Sequence, residues 1–296
     1  MVRELKQNEA ASSRPKRKRP KRRPWWWRLI RVLLLAYLII VILMAYRENQ
    51  MVYPGAYFSD KPPAKQAAAP FESFQYPSPG GSELTGYVLK RGTSADWVVF
   101  YHGNATRADQ MFGWMERLAD AFNANVAAIE YRGYTDDHQP SESKVIRDAI
   151  SGTRTLIEKH SITPENLVLY GRSLGGAIAA GVAVDTQPST LILERTFDSA
   201  VRVASHYYPW LPVPWIMKNR FDTSARLTQF SGDLIVVHGP DDEVVPFQAG
   251  KRLFDNAGTS DKHWIEPASL GHLDPVPDSL LEEIATAAKQ LRQTPP

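Results

Sequence analysis

Short apolar runs alternate with longer helical patterns from about residue 71 onwards, and this feature constrains the fold of the chain more than any other. Alternation of this kind is typical of crossover units, in which a helix joins two parallel strands. It predicts an α/β fold with a mainly parallel sheet and helices on both faces. The runs occupy residues 84–89, 97–101, 126–130, 167–170, 191–193, 234–237 and 263–265.

The pattern changes between residues 198 and 230, where aromatic residues and prolines dominate, as in the stretch from Tyr207 to Trp215. No strand is predicted there. The segment follows the run at 191–193, which counts as the sixth strand of the eight-stranded sheet inferred below. Because loops at the carboxyl ends of parallel strands carry function, the insertion is interpreted either as a small cap over a functional site or as a surface excursion packed on the core.

The N-terminal region combines a basic cluster, three tryptophans at 25–27 and a long apolar run. Residues 1–31 hold 12 Lys and Arg against 2 Glu, a formal charge of +10. Tryptophans suit the headgroup boundary of a bilayer, and the single charge in the apolar run, Arg31, is near enough to its end to snorkel. We therefore predict a basic cytoplasmic tail with a tryptophan belt over 1–28, a transmembrane helix over 29–46, a linker over 47–70 and a compact domain over 71–296.

Two other interpretations of the apolar run are a cleaved signal peptide and a buried core helix. The run is longer than the roughly 7 to 15 apolar residues of a signal peptide, and no small-x-small cleavage site follows it directly. The tryptophans and the basic flank disfavour a core helix. Because basic residues stay on the cytoplasmic side, a single-pass anchor with a cytoplasmic N-terminus would put the compact domain on the non-cytoplasmic side, which is the periplasm in a bacterium.

The composition excludes several classes of protein. With 43% apolar and 23% charged residues, the chain is typical of folded globular proteins. The net charge is +3, so the residues after 31 sum to 3 − 10 = −7, and a basic tail on an acidic body argues against nucleic acid as a partner. The absence of cysteine excludes disulfides, thiolate metal sites and thiol catalysis. Nothing in the sequence predicts an oligomeric state.

A G-x-S-x-G motif, formed by Gly171, Ser173 and Gly175, follows the apolar run at 167–170 and precedes small residues that favour a helix. The motif by itself is a weak signal, and the strand before it with the helix after it makes the signal specific. This order predicts a nucleophile elbow, a tight turn that strains the serine backbone and presents the hydroxyl to a cleft. We therefore predict that Ser173 is a nucleophile.

A serine hydroxyl needs a general base, and the base needs an acid that orients it. In sites built on such an elbow the chain order is serine, acid, histidine. Three adjacent acids follow the run at 234–237, and Asp242 is the predicted acid, with Asp241 as an alternative that caps the loop or faces solvent. His272, which follows a glycine in a loop after the last run, is the predicted base.

Glu194 is a second candidate for the acid. It ends the sixth predicted strand, directly after the run at 191–193, and this is another position from which a carboxylate can meet the histidine. Arg195 stands beside it, which favours a structural ion pair instead.

Acyl transfer also requires hydrogen-bond donors for the developing oxyanion. The first predicted donor is the backbone amide of Leu174, directly after the nucleophile, and the second is the backbone amide of Asn104, in the loop after the run at 97–101. His102, in the same loop, is predicted to brace it through hydrogen bonds rather than to transfer protons.

Taken together, these residues resemble the alpha/beta hydrolase superfamily, and specifically its membrane-anchored branch of abhydrolase-domain serine hydrolases. The resemblance covers residues 50–292 and rests on motifs distributed over the chain. They are HGN at 102–104, YRGY at 131–134 followed by PSE at 140–142, GRSLGG at 171–176, YPWLPV at 208–213, RFD at 220–222 and HG-x-x-D-x-V-V-P at 238–246.

The resemblance implies an eight-stranded sheet, a triad of Ser173, Asp242 and His272, and hydrolysis of small-molecule or lipid-like acyl esters or thioesters without metal or organic cofactor. A serine peptidase or amidase on the same fold, and a tethered non-catalytic fold that binds a lipid or a protein, are the alternatives. The chain departs from the family at Leu273, where an Asn is usual, and at 135–139, where the family loop is rich in glycine. The first departure affects how the loop of His272 is held.

Overall fold

A computed structural model describes residues 24–80 and 82–293 of the chain. The strands are β1 (Phe71–Ser78), β2 (Ser82–Leu89), β3 (Trp97–Tyr101), β4 (Asn125–Ile129), β5 (Leu167–Arg172), β6 (Thr190–Glu194), β7 (Asp233–Val237) and β8 (Lys262–Ile265). The helices are α1 (Trp25–Tyr46), α2 (Glu48–Val52), α3 (Pro54–Phe58), α4 (Phe112–Phe122), α5 (Glu142–His160), α6 (Leu174–Thr186), α7 (Ala200–Tyr207), α8 (Val213–Ile216), α9 (Thr223–Leu227), α10 (Phe247–Asp255) and α11 (Asp278–Gln293).

The eight strands form one sheet in the order β1-β2-β4-β3-β5-β6-β7-β8. β1 and β2 are antiparallel to their neighbours, and every pairing among β3 to β8 is parallel. Each of the seven predicted apolar runs coincides with a strand, with its ends displaced by at most two residues. The prediction of an α/β fold with a mainly parallel, eight-stranded sheet is therefore confirmed.

The apolar pattern of the sequence does not reveal β1, the edge strand. Only alternate side chains of this strand are buried in its second half, Phe74 and Tyr76 among them, while Gln75 and Pro77 between them are exposed. An edge strand covered on one face lacks the continuous apolar run that marks the inner strands. The family resemblance, and not the local pattern, predicted this eighth strand.

Both faces of the sheet are covered by helices. α5, α6, α9 and α10 contribute apolar residues to the core on one face, and α4 and α11 contribute to the core on the other. All five residues of β3 are buried, which explains their uninterrupted apolar sequence. In this arrangement the carboxyl ends of β3, β5, β7 and β8 all meet at one edge of the sheet, where the loops that follow them can form a common site.

The helix α6 is apolar on every side and is buried from Leu174 to Ala183. A helix of this kind belongs in a core rather than at a surface. Its small residues let the backbone approach the sheet closely, since a methyl group at Gly176 would meet the side chain of Thr196. The first turn of α6 is thereby held directly after β5.

The N-terminal helix α1 has 22 residues and is long and apolar enough, by length and composition, to cross a membrane. It ends where the apolar run was predicted to end and begins four residues earlier, so that the three tryptophans at 25–27 are helical. The prediction of an apolar N-terminal helix is confirmed. The predicted basic tail lies, up to residue 23, outside the described residues.

The segment predicted as a linker, 47–70, contains the two short helices α2 and α3. Tyr53 and Ala56 are buried, and Glu48 accepts hydrogen bonds from the backbone amides of Lys218 and Asn219, both at 2.7 Å. Residues 48–58 are therefore packed against the compact domain, whereas composition predicted a spacer. The composition of a segment does not reveal contacts with residues about 170 positions away in sequence.

The insertion after β6 contains α7, α8 and α9 and, as predicted, no strand. A single bridge pairs Ser199 with Asp222, and the amide of Ala200 donates to the carbonyl of Arg220 at 3.0 Å. These contacts close the base of the insertion, so that it forms a compact excursion from the sheet.

Candidate active site

Ser173 lies in the tight turn between β5 and α6, in a strained backbone conformation with φ 54° and ψ −123°. Non-glycine residues rarely adopt a positive φ, and such strain persists only where the surroundings enforce it. A methyl group at Gly171 would collide with the backbone of the first turn of α6, and one at Gly175 would collide with the carbonyl oxygens at the end of β3. The two glycines are thus required by close backbone approach, as the elbow interpretation predicts.

Ser173, His272 and Asp242 lie within hydrogen-bond distance of one another in series. Ser173 Oγ is 2.9 Å from His272 Nε2, and His272 Nδ1 is 2.9 Å from Asp242 Oδ2 and 3.0 Å from Asp242 Oδ1. The serine and the histidine are 99 residues apart in sequence and follow β5 and β8. This geometry allows the imidazole to take a proton from the hydroxyl while the carboxylate accepts from its other nitrogen.

The carboxylate of Asp242 is buried and oriented by its own loop. Asp242 Oδ1 accepts hydrogen bonds from the backbone amides of Val244 and Val245, at 3.0 Å and 2.7 Å. Burial alone raises the pKa of the Asp242 carboxyl, but the hydrogen bonds from His272 and from the Val245 amide outweigh burial and lower the pKa below its usual value. The neighbouring Asp241 is exposed and takes no part in this network.

The loop after β3 brings Asn104 close to the elbow. The Asn104 side chain donates from Nδ2 to the carbonyl of Val52 at 2.6 Å and accepts from the Tyr134 hydroxyl at 2.7 Å. Both polar ends of the amide are occupied, so the side chain anchors the loop. Leu174, the other predicted donor residue, is the first residue of α6, where backbone amides have no partner within the helix.

Comparisons with known proteins agree with this architecture. Residues 98–238 match a family described by the alpha/beta hydrolase fold. The chain has the alpha/beta hydrolase fold. The matched segment contains Ser173 and the loop of Asn104, and it ends before Asp242 and His272.

Several curated proteins are similar to this chain in sequence. An uncharacterized protein of Mycobacterium tuberculosis is 28% identical over 198 residues, covering 66% of this chain and 70% of that protein. The human alpha/beta hydrolase domain-containing protein 17B is 26% identical over 206 residues, covering 69% of each chain.

Solved structures with the same fold include several esterases. An esterase of Pyrococcus furiosus superimposes with a TM-score of 0.62 at 14% identity and covers 78% of this chain and 97% of its own. Acetyl xylan esterase 1 from Thermoanaerobacterium superimposes with a TM-score of 0.59 at 13% identity, covering 84% and 93%. At these identities the similarity establishes the fold alone.

The loop that carries His272 is held by Arg195, which the sequence did not single out as a site residue. The guanidinium of Arg195 donates from Nη1 to the carbonyls of Gly271, at 2.6 Å, and Asp274, at 2.9 Å, on both sides of His272. The backbone amide of His272 donates to Glu243 Oε2 at 3.1 Å. These bonds fix the loop from Gly271 to Asp274.

Glu194, the alternative acid, is fully buried and belongs to an ion-pair network. Its carboxylate accepts from Arg172 at 3.0 Å, from Arg195 at 2.5 Å and from the Tyr170 hydroxyl at 2.7 Å. Burial raises the pKa of Glu194, and the two guanidiniums more than offset it, so that the net shift is downward. Glu194 therefore serves as the counter-ion that orients Arg195.

His102 and His238 lie near the site but have other hydrogen-bond partners. His102 is buried, with Nδ1 2.9 Å from the carbonyl of Gly103 and Nε2 2.9 Å from Glu130 Oε1, as a bracing role predicts. His238, which sequence reasoning also passed over, has Nε2 3.0 Å from the carbonyl of Val245 and 3.4 Å from Asp242 Oδ2. Burial lowers the pKa of His238, so that this imidazole is neutral at pH 7.

The insertion between β6 and β7 reaches the loop of the candidate acid. The hydroxyl of Tyr207, in α7, donates to the carbonyls of Glu243 and Val244, each at 3.0 Å. This contact joins the insertion to the loop that carries Asp242. Within residues 24–80 and 82–293, no group of three or more His, Asp or Glu side chains is arranged to hold a metal ion.

Proposed function

We propose that this protein is a serine hydrolase that cleaves carboxylic ester or thioester bonds of acyl compounds through an acyl-enzyme intermediate. The observation that carries the proposal is the 2.9 Å separation between Ser173 Oγ and His272 Nε2, in a turn whose backbone strain aims the hydroxyl. The esterase fold of its structural neighbours is consistent with it, although fold alone does not select a substrate.

In the proposed reaction the Ser173 hydroxyl attacks the acyl carbonyl while His272 Nε2 takes its proton. The tetrahedral intermediate collapses as His272 returns that proton to the leaving group, and the acyl group stays on Ser173. Water, activated by the same imidazole, then attacks the acyl-enzyme and releases the acid. Asp242 holds the imidazole tautomer and stabilises the imidazolium that forms in each step.

The backbone amides of Leu174 and Asn104 are the proposed oxyanion donors. An oxyanion-hole amide contributes about 2.7 to 4 kcal/mol of transition-state stabilisation. The start of α6 supports this assignment for Leu174, since a helix N-terminus presents free amides and a partial positive charge.

We also propose that α1 is a single-pass membrane anchor with the basic tail in the cytoplasm. The domain from 71 to 296, with its cap insertion at about 198–230, then lies on the non-cytoplasmic side. The length and apolar composition of α1 and the +10 charge of residues 1–31 support this topology.

A fluorophosphonate probe tests the proposal directly, because it reacts only with an activated serine. We expect labelling of the wild-type protein at Ser173 and none of Ser173→Ala, with kcat for p-nitrophenyl butyrate falling in that variant by a factor on the order of 10⁶. A folded wild-type chain that stays unlabelled, or labels as strongly as Ser173→Ala, would instead identify a non-catalytic binding protein.

Substrate preference distinguishes the proposed ester hydrolase from a peptidase or amidase on the same fold. Turnover of a peptide anilide above that of p-nitrophenyl butyrate would favour the peptidase or amidase. We expect the ester to be the better substrate.

A further inference from the structure

An apolar groove of about 620 Å³ lies between the segment 43–58 and the cap helices α7 and α8. One wall is formed by the last turn of α1 with α2 and α3, and the other by the insertion. Most of its lining is aliphatic or aromatic, and it includes Leu43, Ala45, Val52, Phe58, Ala204 and Tyr208. A groove of this volume lies within the range of about 300 to 1,000 Å³ that is usual for sites of small organic ligands.

The groove begins where the apolar helix α1 ends. Leu43, Met44 and Ala45, in the last turn of α1, are part of its lining. If α1 crosses a membrane, this turn lies at the bilayer surface, because the apolar stretch of the helix matches the thickness of the hydrocarbon core. The groove is then continuous with the region from which lipid chains can enter.

The rim of the groove exposes large apolar side chains. Tyr46, between the groove residues Ala45 and Arg47, is 84% exposed, Phe58 is 73% exposed, and Trp215, next to the groove residue Ile216, is 86% exposed. Aromatic side chains in this position are typical of contact with a membrane interface. Arg47 on the same rim is exposed and forms no ion pair within the part of the chain that the structure describes, so its guanidinium can meet a phosphate headgroup.

Both walls of the groove are hydrogen-bonded to loops of the candidate active site. On one side Val52 accepts from the side chain of Asn104 at 2.6 Å. On the other side Tyr207, adjacent to the groove residue Tyr208, donates to the backbone of Glu243 and Val244, directly after Asp242. A ligand seated in the groove therefore lies beside the loops that carry the proposed oxyanion donor and the acid.

We infer that this groove binds the fatty acyl chain of a membrane lipid whose ester is cleaved at Ser173. The inference rests on the proposed function and adds to it the substrate class and the binding site of the acyl chain. The apolar lining provides the affinity, the position at the end of α1 provides access from the bilayer, and Arg47 provides a contact for an anionic headgroup. Each methylene that moves from water into such a groove strengthens binding by about fourfold.

The test compares kcat/KM for p-nitrophenyl butyrate and p-nitrophenyl laurate in the full-length protein in detergent. We expect the wild type to prefer laurate by roughly tenfold or more. Ala204→Trp, which fills the groove from α7, and Ala45→Trp, which fills it from α1, should lower kcat/KM for laurate about tenfold more than for butyrate. His206→Trp is the matched control, because His206 is exposed on the same helix α7 and does not line the groove.

Different results contradict the proposed function and the assignment of the groove. Absence of fluorophosphonate labelling and of butyrate turnover contradicts the proposed function itself. Normal labelling with a laurate-to-butyrate ratio that is the same in wild type, Ala204→Trp and Ala45→Trp overturns the groove assignment alone. A change in the ratio that His206→Trp reproduces overturns it as well.

A second comparison tests whether the acyl chain comes from a membrane lipid or from an acylated peptide. We expect 1-lauroyl lysophosphatidylglycerol to be hydrolysed faster than an S-lauroyl peptide, and Arg47→Gln to reduce turnover of the lysolipid more than that of p-nitrophenyl laurate. A faster reaction with the S-lauroyl peptide, or an equal effect of Arg47→Gln on both esters, contradicts a membrane lipid as the occupant.

Discussion

At the scale of single residues, the site depends on a carboxylate that keeps its charge although it is buried. The lowered pKa of Asp242 results from hydrogen bonds from His272 and the Val245 amide that outweigh the effect of burial. A carboxyl whose folded pKa is depressed contributes stability that is fully present above its unfolded pKa, about 3.9, and is lost as the pH falls through the lower folded value. The free energy of unfolding should therefore decrease as the pH falls and the Asp242 carboxylate becomes protonated.

Asp242→Asn tests this pH dependence. We expect the loss in free energy of unfolding, relative to wild type, to be constant from about pH 7 to pH 5 and to shrink below about pH 4, where the wild-type carboxyl becomes protonated. Turnover of p-nitrophenyl butyrate at pH 7 should fall by about 10³ to 10⁴, because the imidazole loses its tautomer. The exposed Asp241→Asn is the control and should change neither quantity; a destabilisation by Asp242→Asn that grows below pH 4 would contradict the assigned shift.

Arg195 is a positioning residue, since it contacts the loop of His272 and not the reacting atoms. Lysine in its place keeps the charge beside Glu194 but cannot reproduce the planar fork that also reaches the carbonyls of Gly271 and Asp274. Arg195→Lys should lower kcat about 10- to 100-fold with little change in KM, because a displacement of about 1 Å at a catalytic group has an effect of this size.

Arg172→Lys is the matched control for that change. Arg172 also pairs with Glu194 but has no hydrogen bond to the loop of His272. Thermal unfolding should therefore report a comparable loss of stability in both variants, while the fall in kcat is confined to Arg195→Lys. Equal losses of kcat would assign the effect to the Glu194 network as a whole.

At the scale of elements, the two short helices α2 and α3 pack against the domain that carries the candidate site. Tyr53 between them is fully buried, and its hydroxyl donates to Asn219 of the insertion at 3.0 Å. Val52 holds the side chain of Asn104, and Gly55 packs directly against the backbone of Asn104. The segment that connects α1 to the sheet therefore supports the proposed oxyanion loop.

Gly55→Ala tests this support. The added methyl group would collide with the carbonyl oxygen of Asn104, so the loop must move. We expect kcat/KM for p-nitrophenyl butyrate to fall by about tenfold or more, as for displacement of an oxyanion donor. In Gly113→Ala, the control, the new methyl group meets no atom within 4 Å. That variant should keep full activity and be equally stable or more stable by up to about 1 kcal/mol; the same loss of activity in both variants would contradict the proposed support.

At the scale of the whole molecule, the charge distribution is proposed to determine which side of a membrane the domain occupies. Residues 16–23 contain seven Lys and Arg, and the bias of such residues across a span sets its orientation. A C-terminal alkaline phosphatase fusion, which is active only outside the cytoplasm, should therefore be active in a bacterial host.

Replacing those seven residues with Gln should reduce the phosphatase activity severalfold at equal expression, because the bias that retains the tail is weakened. Exchanging each Lys for Arg and each Arg for Lys is the control, since the charge is unchanged. An inactive fusion on the unaltered chain would contradict the proposed topology.

Local patterns by themselves determined the class of fold, the apolar N-terminal helix and the prediction of Ser173 as nucleophile. Continuous apolar runs mark strands that are covered on both faces, and only certain residues can form the tight turn at Gly171 and Gly175. Both features can therefore be recognised from neighbouring residues in the sequence. The edge strand β1 has no continuous apolar run, because only alternate side chains of its second half are buried.

Tertiary structure alone decided which distant groups meet. The contact of Ser173 with His272 spans 99 positions and that of Glu48 with Asn219 spans 171, and neither is encoded in a local period. The hold of Arg195 on the loop of His272, the docking of α2 and α3, and the groove beside the insertion all arise from packing between elements. Such contacts depend on the position of every strand and helix between the two partners, which is why a sequence pattern predicts the parts of this protein and only the folded chain determines their distances.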